Sequence, residues 1–146
     1  MSEISAAGRD GPGEAFGLVY GELSAEIATA TVPVGPVILQ PHGLVHGGVH
    51  SLIAESICSA ATALAVASEG KMAMGQSNFA TFLRPITAGT VHATARRRHA
   101  GRSTWIWDVE LRDDSERLCA MVRMTVAVRP APDSADLSTP PAPDSA

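Results

Sequence analysis

One carboxylate interrupts a long stretch of the sequence that otherwise carries no charge. Glu55 is the only acidic or basic side chain between Gly47 and Ala67, with histidine counted as neutral. Burying a lone carboxylate costs free energy unless it is hydrogen-bonded or used in chemistry, and such carboxylates concentrate at active sites. We therefore expect Glu55 to have a functional role at an active site. The alternatives are a structural carboxylate that is paired with an arginine of the sheet, and a helix that is less buried than its sequence indicates.

The residues around Glu55 have the spacing of a helix of about five turns. One side of the helical wheel carries an apolar stripe, which consists of Val49, Ile53, Ile57, Ala60 and Leu64. The opposite side carries mostly small residues, namely Ser51, Glu55, Cys58, Ser59 and Thr62. This pattern predicts a helix with protein on both sides. Ser59 is four residues after Glu55, so its hydroxyl lies on the carboxylate's face, unless it bonds the Glu55 carbonyl.

Two glycines stand at the predicted start of this helix. Helix N-termini have unpaired N–H groups and partial positive charge, so the amide at Gly47 could stabilise an oxygen that gains negative charge. A tight turn at Gly47 and Gly48 is the alternative, since glycine is conformationally permissive. Eight residues separate Gly47 from Glu55, which corresponds to about 12 Å along one helix. If both groups act on one substrate, they must come from two chains related by a two-fold axis.

Composition narrows the class of protein. The chain has 146 residues and a net charge of -4, which favours a single domain and argues against nucleic acid as a partner. No signal peptide and no uninterrupted membrane-spanning run is visible in the sequence, and two cysteines without metal spacing indicate a cytoplasmic protein. His46 and His50 have a helical metal spacing, but the sequence offers no third ligand, so we expect no metal.

Alternating apolar residues predict strands on both sides of the helix. The predicted strands cover residues 16–20, 27–32, 72–82, 91–99, 103–111 and 118–128, and the helix ends at Gly70. Short connections between the last four predict an antiparallel meander. The expected fold is α+β, a curved antiparallel sheet wrapped round one long helix. We expect residues 1–14 to be a disordered leader, 15–130 the folded domain, and 131–146 a Pro- and Ala-rich disordered tail.

This order of elements, with the segments LVHGG, AES, GQSN and FLRP, resembles the hotdog-fold thioesterases. It is most similar to the 4-hydroxybenzoyl-CoA thioesterase type, which has its Glu on the central helix. The similarity spans residues 16–130 and is densest at GLVHGG, GQSN, HAGRSTWIWD and LRDDSERLCA. The resemblance implies a cytoplasmic acyl-CoA thioesterase of aromatic degradation that needs no cofactor besides the CoA of its substrate. It also implies a site shared between two subunits of a homodimer, and usually a homotetramer.

The resemblance further implies a role for individual residues. Glu55 matches the catalytic carboxylate, Gly47 the oxyanion donor, and Gln40 the amide that assists it. His46 matches a histidine that orients the site, and Ser59 a hydroxyl residue near the carboxylate. A second group matches the contacts to CoA, namely Arg84 near the phosphates and Arg102 with Ser103 at the nucleotide.

Two departures concern the acyl pocket. Ala60 replaces an acidic residue and His50 an aromatic one, so benzoyl, phenylacetyl and dihydroxybenzoyl groups stay open beside 4-hydroxybenzoyl. Two other functions also stay open. One is a hotdog-fold enoyl-CoA hydratase or dehydratase, and the other is a non-catalytic acyl-CoA-binding module in which Glu55 is structural.

Overall fold

Six antiparallel strands form one sheet that packs against a single long helix in the computed structural model, which describes residues 11–132. The strands are β1 (Val19–Leu23), β2 (Ile27–Pro33), β3 (Lys71–Phe82), β4 (Thr90–Ala100), β5 (Thr104–Arg112) and β6 (Leu118–Pro130). The central helix is Gly47–Val66, and short helical turns occur at Pro12–Ala15, Pro36–Ile38 and Ala67–Glu69. The α+β class and the sheet wrapped on one helix are confirmed.

The predicted meander of four strands is wrong at its first member. The spatial order is β1-β2-β4-β5-β6-β3, so β3 pairs with β6 and lies at the edge of the sheet. The outer side of β3 has no strand partner among residues 11–132. The connection after β3 explains this order. The amides of Leu83 and Arg84 both donate to the Cys119 carbonyl, which holds the chain against β6. Pro85 has no N–H to continue a ladder, and the Ile86 carbonyl then accepts from Val45 beside the helix start.

The buried face of the central helix differs from the predicted stripe. Its buried residues are His50, Ile53, Ala54, Ile57, Cys58, Ala61, Thr62 and Val66. Leu64, which we expected on the apolar face, is exposed, whereas Cys58 and Thr62 from the predicted polar side are fully buried. Small side chains on this face let the helix lie close to the sheet, and hydropathy alone does not reveal that requirement.

A buried hydrogen-bond chain joins the helix to the middle of the sheet. The Trp107 indole N–H donates to the Thr62 hydroxyl at 3.0 Å, and that hydroxyl donates to the Cys58 carbonyl at 2.7 Å. Burial raises the pKa of the Cys58 thiol, so this cysteine stays protonated and packs as a small apolar residue. The contact fixes the rotation of the helix about its own axis and thereby the direction in which Glu55 points.

The central helix with its following turn, Gly47–Glu69, is also long and apolar enough to cross a membrane by length and composition, with a mean hydropathy of 1.5 over an 18-residue window. Core helices of soluble proteins have the same property, and here the helix packs on the sheet through Ile53 and Ile57.

The predicted disordered ends lie mostly outside the described residues, which exclude 1–10 and 133–146. Of the predicted leader, the structure describes only 11–14, most of which belongs to the short helical turn Pro12–Ala15. At the other end, the Ala131 amide donates to the Gly70 carbonyl at 2.9 Å, so the chain stays attached to the sheet just past β6.

Candidate active site

The start of the central helix presents a free amide. His46 is the N-cap residue, and its imidazole Nδ1 accepts the Gly48 N–H at 2.9 Å. Gly47 is the first helical residue, so its N–H has no intrahelical acceptor, and no acceptor within residues 11–132 receives it. The cap therefore pairs the second amide of the helix and leaves the first one available to a ligand. The same bond fixes the His46 ring.

Close packing is a second reason for glycine at position 47. A Cβ on Gly47 would lie 2.7 Å from Cζ of Phe82, the last residue of β3. The Phe82 ring is 56% exposed and covers the helix start. A Cβ on Gly48 would lie 3.1 Å from the Nδ1 atom of His46. The two interpretations of this glycine pair are thus compatible, because close packing and a free amide occur at the same place.

An open cleft of about 550 Å³ lies in front of this amide. Its lining residues are Gln40, Leu44, Val45, Gly47, His50, Phe82, Leu83, Arg84 and Pro85. The Gln40 side-chain carbonyl accepts the His42 amide at 3.0 Å, so the NH₂ end of Gln40 is left as a donor. The Arg84 guanidinium is exposed and donates to the Leu118 carbonyl at 3.0 Å. The cleft therefore combines N–H donors, apolar walls and one cation.

His50 lies in this cleft as a buried neutral base. Its ring packs against Phe82 with the ring centroids 5.9 Å apart. Burial lowers the pKa of His50 to about 4, so the imidazole is uncharged at neutral pH. A neutral imidazole can both donate and accept a hydrogen bond, but it does not supply positive charge to the cleft.

Glu55 lies elsewhere, beside the free edge of the sheet. The carboxylate is exposed rather than buried, which corrects the expectation of a helix with protein on both sides and agrees with the alternative of a less buried helix. It lies over Gly75 of β3, where a Cβ would come within 2.6 Å of the Glu55 Oε1 atom. A β-bulge at this point makes Gln76 an extra residue between Gly75 and Ser77. No ion pair of residues 11–132 includes Glu55, so the alternative of a carboxylate paired with an arginine is not formed here.

Unpaired polar atoms flank the carboxylate along the helix. The Ser59 hydroxyl is buried without a hydrogen-bond partner in the described chain, so the alternative bond to the Glu55 carbonyl does not form. One turn before Glu55, the Ser51 carbonyl accepts from the Asn78 side chain at 2.9 Å, while Asn78 Oδ1 is buried and unpaired. In the sequence, Asn78 stands out only as part of the segment GQSN. The bulge at Gln76 reverses the alternation of β3, which hides the inward direction of Asn78.

The two nucleotide-contact candidates lie at the opposite end of the sheet. Arg102 and Ser103 are exposed in the turn between β4 and β5, whereas Arg84 lies near the turn between β5 and β6. Strand β5 separates the two turns and has nine residues, which span about 27 Å. One chain thus brings together Gln40, Gly47, His50 and Arg84, with His46 adjacent to them. The pair Glu55 and Ser59 and the turn with Arg102 and Ser103 lie away from this group in the same chain.

Comparisons with known proteins agree with the observed fold. A family model described as the thioesterase superfamily matches residues 42–120. The proofreading thioesterase EntH of Klebsiella pneumoniae is 34% identical over 113 residues, covering 77% of this chain and 82% of that protein. A mutant of thioesterase PA1618 from Pseudomonas aeruginosa superposes with a TM-score of 0.82 at 34% identity, covering 87% of this chain and 91% of that one. Thioesterase HI1161 from Haemophilus influenzae superposes with a TM-score of 0.83 at 30% identity, covering 90% and 91%.

Proposed function

Because this chain belongs to the thioesterase superfamily, we propose that it hydrolyses an aromatic acyl-CoA thioester to the free acid and CoA. The single observation that carries the proposal is the position of Glu55. Its carboxylate is exposed, has no ion-pair partner within residues 11–132, and projects from the helix whose first amide is free. An exposed carboxylate and a free amide are the two groups that hydrolysis of an activated ester needs.

The proposed reaction begins with binding of the thioester carbonyl at the helix start. The Gly47 N–H, with the Gln40 amide beside it, stabilises negative charge on the carbonyl oxygen. Glu55 then attacks the carbonyl carbon, the C–S bond breaks and the CoA thiolate leaves, which gives a mixed anhydride that water hydrolyses. In the other route, Glu55 takes a proton from a water that attacks the same carbon. His46 and Ser59 serve to orient the amide and the carboxylate, respectively.

The two catalytic groups are too far apart to meet within one chain. About 12 Å of helix separates Gly47 from Glu55, so the carboxylate must come from a second copy of the chain. Strand β3 supports this assembly. It is a long edge strand of twelve residues with Lys71 as its one charged side chain, and an unpaired edge of this kind is a template for pairing with another chain.

A two-fold axis across β3 would also complete the CoA site. Antiparallel pairing places opposite ends of two sheets side by side, so Arg84 of one chain and the partner's Arg102–Ser103 turn could contact the same ligand. We propose a homodimer as the minimal active unit. The outer sheet face carries Phe79, which is 75% exposed, and the exposed Met121, which supports further pairing of dimers into a homotetramer.

The walls of the cleft support an aromatic acyl group. Phe82 and His50 present two rings beside the oxyanion donor, and Val45 and Leu83 add apolar surface. Aromatic rings prefer offset or edge-on contacts with one another, which a flat acyl group can make here. Straight alkyl chains would bury comparable area without these contacts, so we expect aryl esters to be better substrates than alkyl esters of similar size.

Release of CoA thiol from a panel of aryl-, alkyl- and enoyl-CoA esters tests the proposal. Glu55→Gln should lower kcat for aryl esters by at least about 10³-fold, because the variant loses its nucleophile or base. Glu22→Gln is the matched control, since Glu22 is an exposed carboxylate on β1. Near-normal turnover by Glu55→Gln would remove the mechanism. Hydration of enoyl-CoA without thiol release would instead indicate a hydratase, and tight binding without reaction a binding module.

A further inference from the structure

Strand β3 and the first half of the central helix lie side by side, and one side chain joins them by a hydrogen bond. Glu55 lies over Gly75 of this strand. One helical turn earlier, the side-chain amide of Asn78 donates to the Ser51 carbonyl at 2.9 Å. In the part of the chain that the structure describes, this is the one hydrogen bond between the helix and β3. The other contacts between them are packing contacts, which are less directional.

The bond from Asn78 reaches the backbone that carries Glu55. In an α-helix each N–H donates to the carbonyl four residues earlier, so the Ser51 carbonyl also accepts the Glu55 amide. Asn78 therefore binds the same oxygen atom that holds the backbone of Glu55. Without this bond, the helical turn from Ser51 to Glu55 has only packing to keep it at its distance from the strand.

The same side chain carries a cost in stability. Asn78 lies opposite the buried Met124 on the inner face of the sheet, and its Oδ1 atom is buried without a hydrogen-bond partner within residues 11–132. An unpaired buried acceptor lowers the free energy of unfolding. Leucine has a similar branched shape and no polar atom, so it would fill the same space without this cost. Proteins retain such costs mainly at functional sites, which favours a role of Asn78 in positioning over a role in stability.

We propose that Asn78 is a positioning residue of the thioesterase, which holds the turn from Ser51 to Glu55 against β3 and thereby sets where the Glu55 carboxylate projects. This inference depends on the proposed function and adds to it a residue that acts through Glu55. Misplacing a reacting group by about 1 Å can cost about 10²-fold in rate, so a small shift of this turn has a large effect on turnover.

Asn78→Leu separates the effect on position from the effect on stability. The variant loses the bond to Ser51 but also loses the unpaired oxygen, and the Ser51 carbonyl keeps its helical partner. Release of CoA thiol at saturating aryl-CoA ester should show kcat lowered by about 10- to 100-fold. Urea unfolding should show a midpoint equal to or higher than that of the wild type. Ser77→Ala is the matched control, because Ser77 is the exposed neighbour on β3, and it should keep both values.

A double variant tests whether Asn78 acts through Glu55. In Gly75→Ala the added Cβ would lie 2.6 Å from the Glu55 Oε1 atom, so this change displaces the carboxylate directly. If both changes act on the same carboxylate, the loss of kcat in Gly75→Ala/Asn78→Leu should be well below the product of the two single losses. Two losses that multiply would overturn the inference.

The results distinguish the inference from the proposed function. If the wild-type protein hydrolyses no aryl-CoA ester, or if Glu55→Gln stays active, the proposed function fails and the inference with it. If hydrolysis depends on Glu55 but Asn78→Leu keeps wild-type kcat, the inference alone is overturned, whatever the urea midpoint of the variant. Should Asn78→Leu not fold, Asn78→Ala removes the same bond and is judged by the same change in kcat.

Discussion

Replacing Gly75 with alanine should displace the carboxylate of Glu55, the proposed catalytic group, while residue 55 itself remains a glutamate. The added Cβ would lie 2.6 Å from Oε1 and 3.0 Å from Cδ of Glu55, and 2.9 Å from Cε of Met124. Non-bonded heavy atoms are in favourable contact at about 3.5 Å, so the carboxylate has to move by about 1 Å. Both neighbours are the ends of flexible side chains, which can move while the backbone stays in place.

A displacement of this size has a large expected effect on rate and a small one on stability. Misplacing a reacting group by about 1 Å can cost about 10²-fold, so kcat of Gly75→Ala should fall by about 10- to 100-fold. The free energy of unfolding should change by less than about 1 kcal/mol, because alanine reduces the entropy of the unfolded chain and offsets part of the crowding.

Thiol release at saturating substrate measures the rate, and urea unfolding measures the stability. Gly35→Ala is the matched control, since a Cβ at Gly35 meets nothing within 4 Å and its φ of -147° suits any residue. The control should keep wild-type kcat. A folded Gly75→Ala protein with wild-type kcat would refute the claim that Glu55 works from its position over β3.

Three further changes test separate parts of the account. Burial lowers the pKa of His50 to about 4 from 6.5, so the unfolded chain binds this proton at a higher pH than the folded chain does. The free energy of unfolding of the wild type should therefore fall by about 3 kcal/mol between pH 7 and pH 4, relative to that of His50→Phe. Urea unfolding at each pH measures both proteins. An equal dependence of the unfolding free energy on pH in the two proteins would contradict this prediction. Thr62→Val leaves the Trp107 indole N–H unpaired in the core and should lower the free energy of unfolding by about 1–3 kcal/mol, and wild-type stability would exclude the predicted penalty. Arg84→Gln should raise KM for CoA esters about 10-fold at constant kcat, whereas an unchanged KM would show that this guanidinium serves only the Leu118 carbonyl.

The strands were predictable because each has one face on the core. Alternation placed β4, β5 and β6 within two residues of their observed ends, and the buried residues of β5 are those of the predicted apolar face, Trp105, Trp107, Val109 and Leu111. The partner of β3 was not predictable from alternation. It depends on the path of the connection that passes Cys119 and Val45, and local periodicity contains no information about that path.

The helix was predicted with the correct start but the wrong rotation. Ile53 and Ile57 face the sheet as expected, yet the helix is turned so that Cys58 and Thr62 are also buried and Leu64 is exposed. A helical wheel weighs side chains by size and hydropathy, whereas the observed face is selected by close approach to the sheet and by the bond from Trp107.

The candidate site was predicted in its parts but not in its grouping. The glycine pair at the predicted helix start identified Gly47, the family resemblance identified His46, and the helix length placed Glu55 about 12 Å from Gly47. The pairing of Glu55 with Gly75 was not foreseen, because it depends on the bulge in β3. The unpaired Nδ1 atom of His50 and the inward direction of the Asn78 side chain were not predictable either, because each depends on which residues the fold places around that side chain.

Subunit complementation tests most directly whether one site is built from two chains. Glu55→Gln and Gln40→Ala each remove one half of the proposed site, and each homodimer should be nearly inactive. After the two variants are mixed, unfolded and refolded together, a heterodimer contains one intact site and one doubly altered site. We predict recovery of about a quarter of wild-type activity, since about half of the dimers are mixed and each has one working site of two. No recovery, in a mixture shown to contain heterodimers, would contradict the shared site, as would full activity in a monomeric form of the wild-type protein.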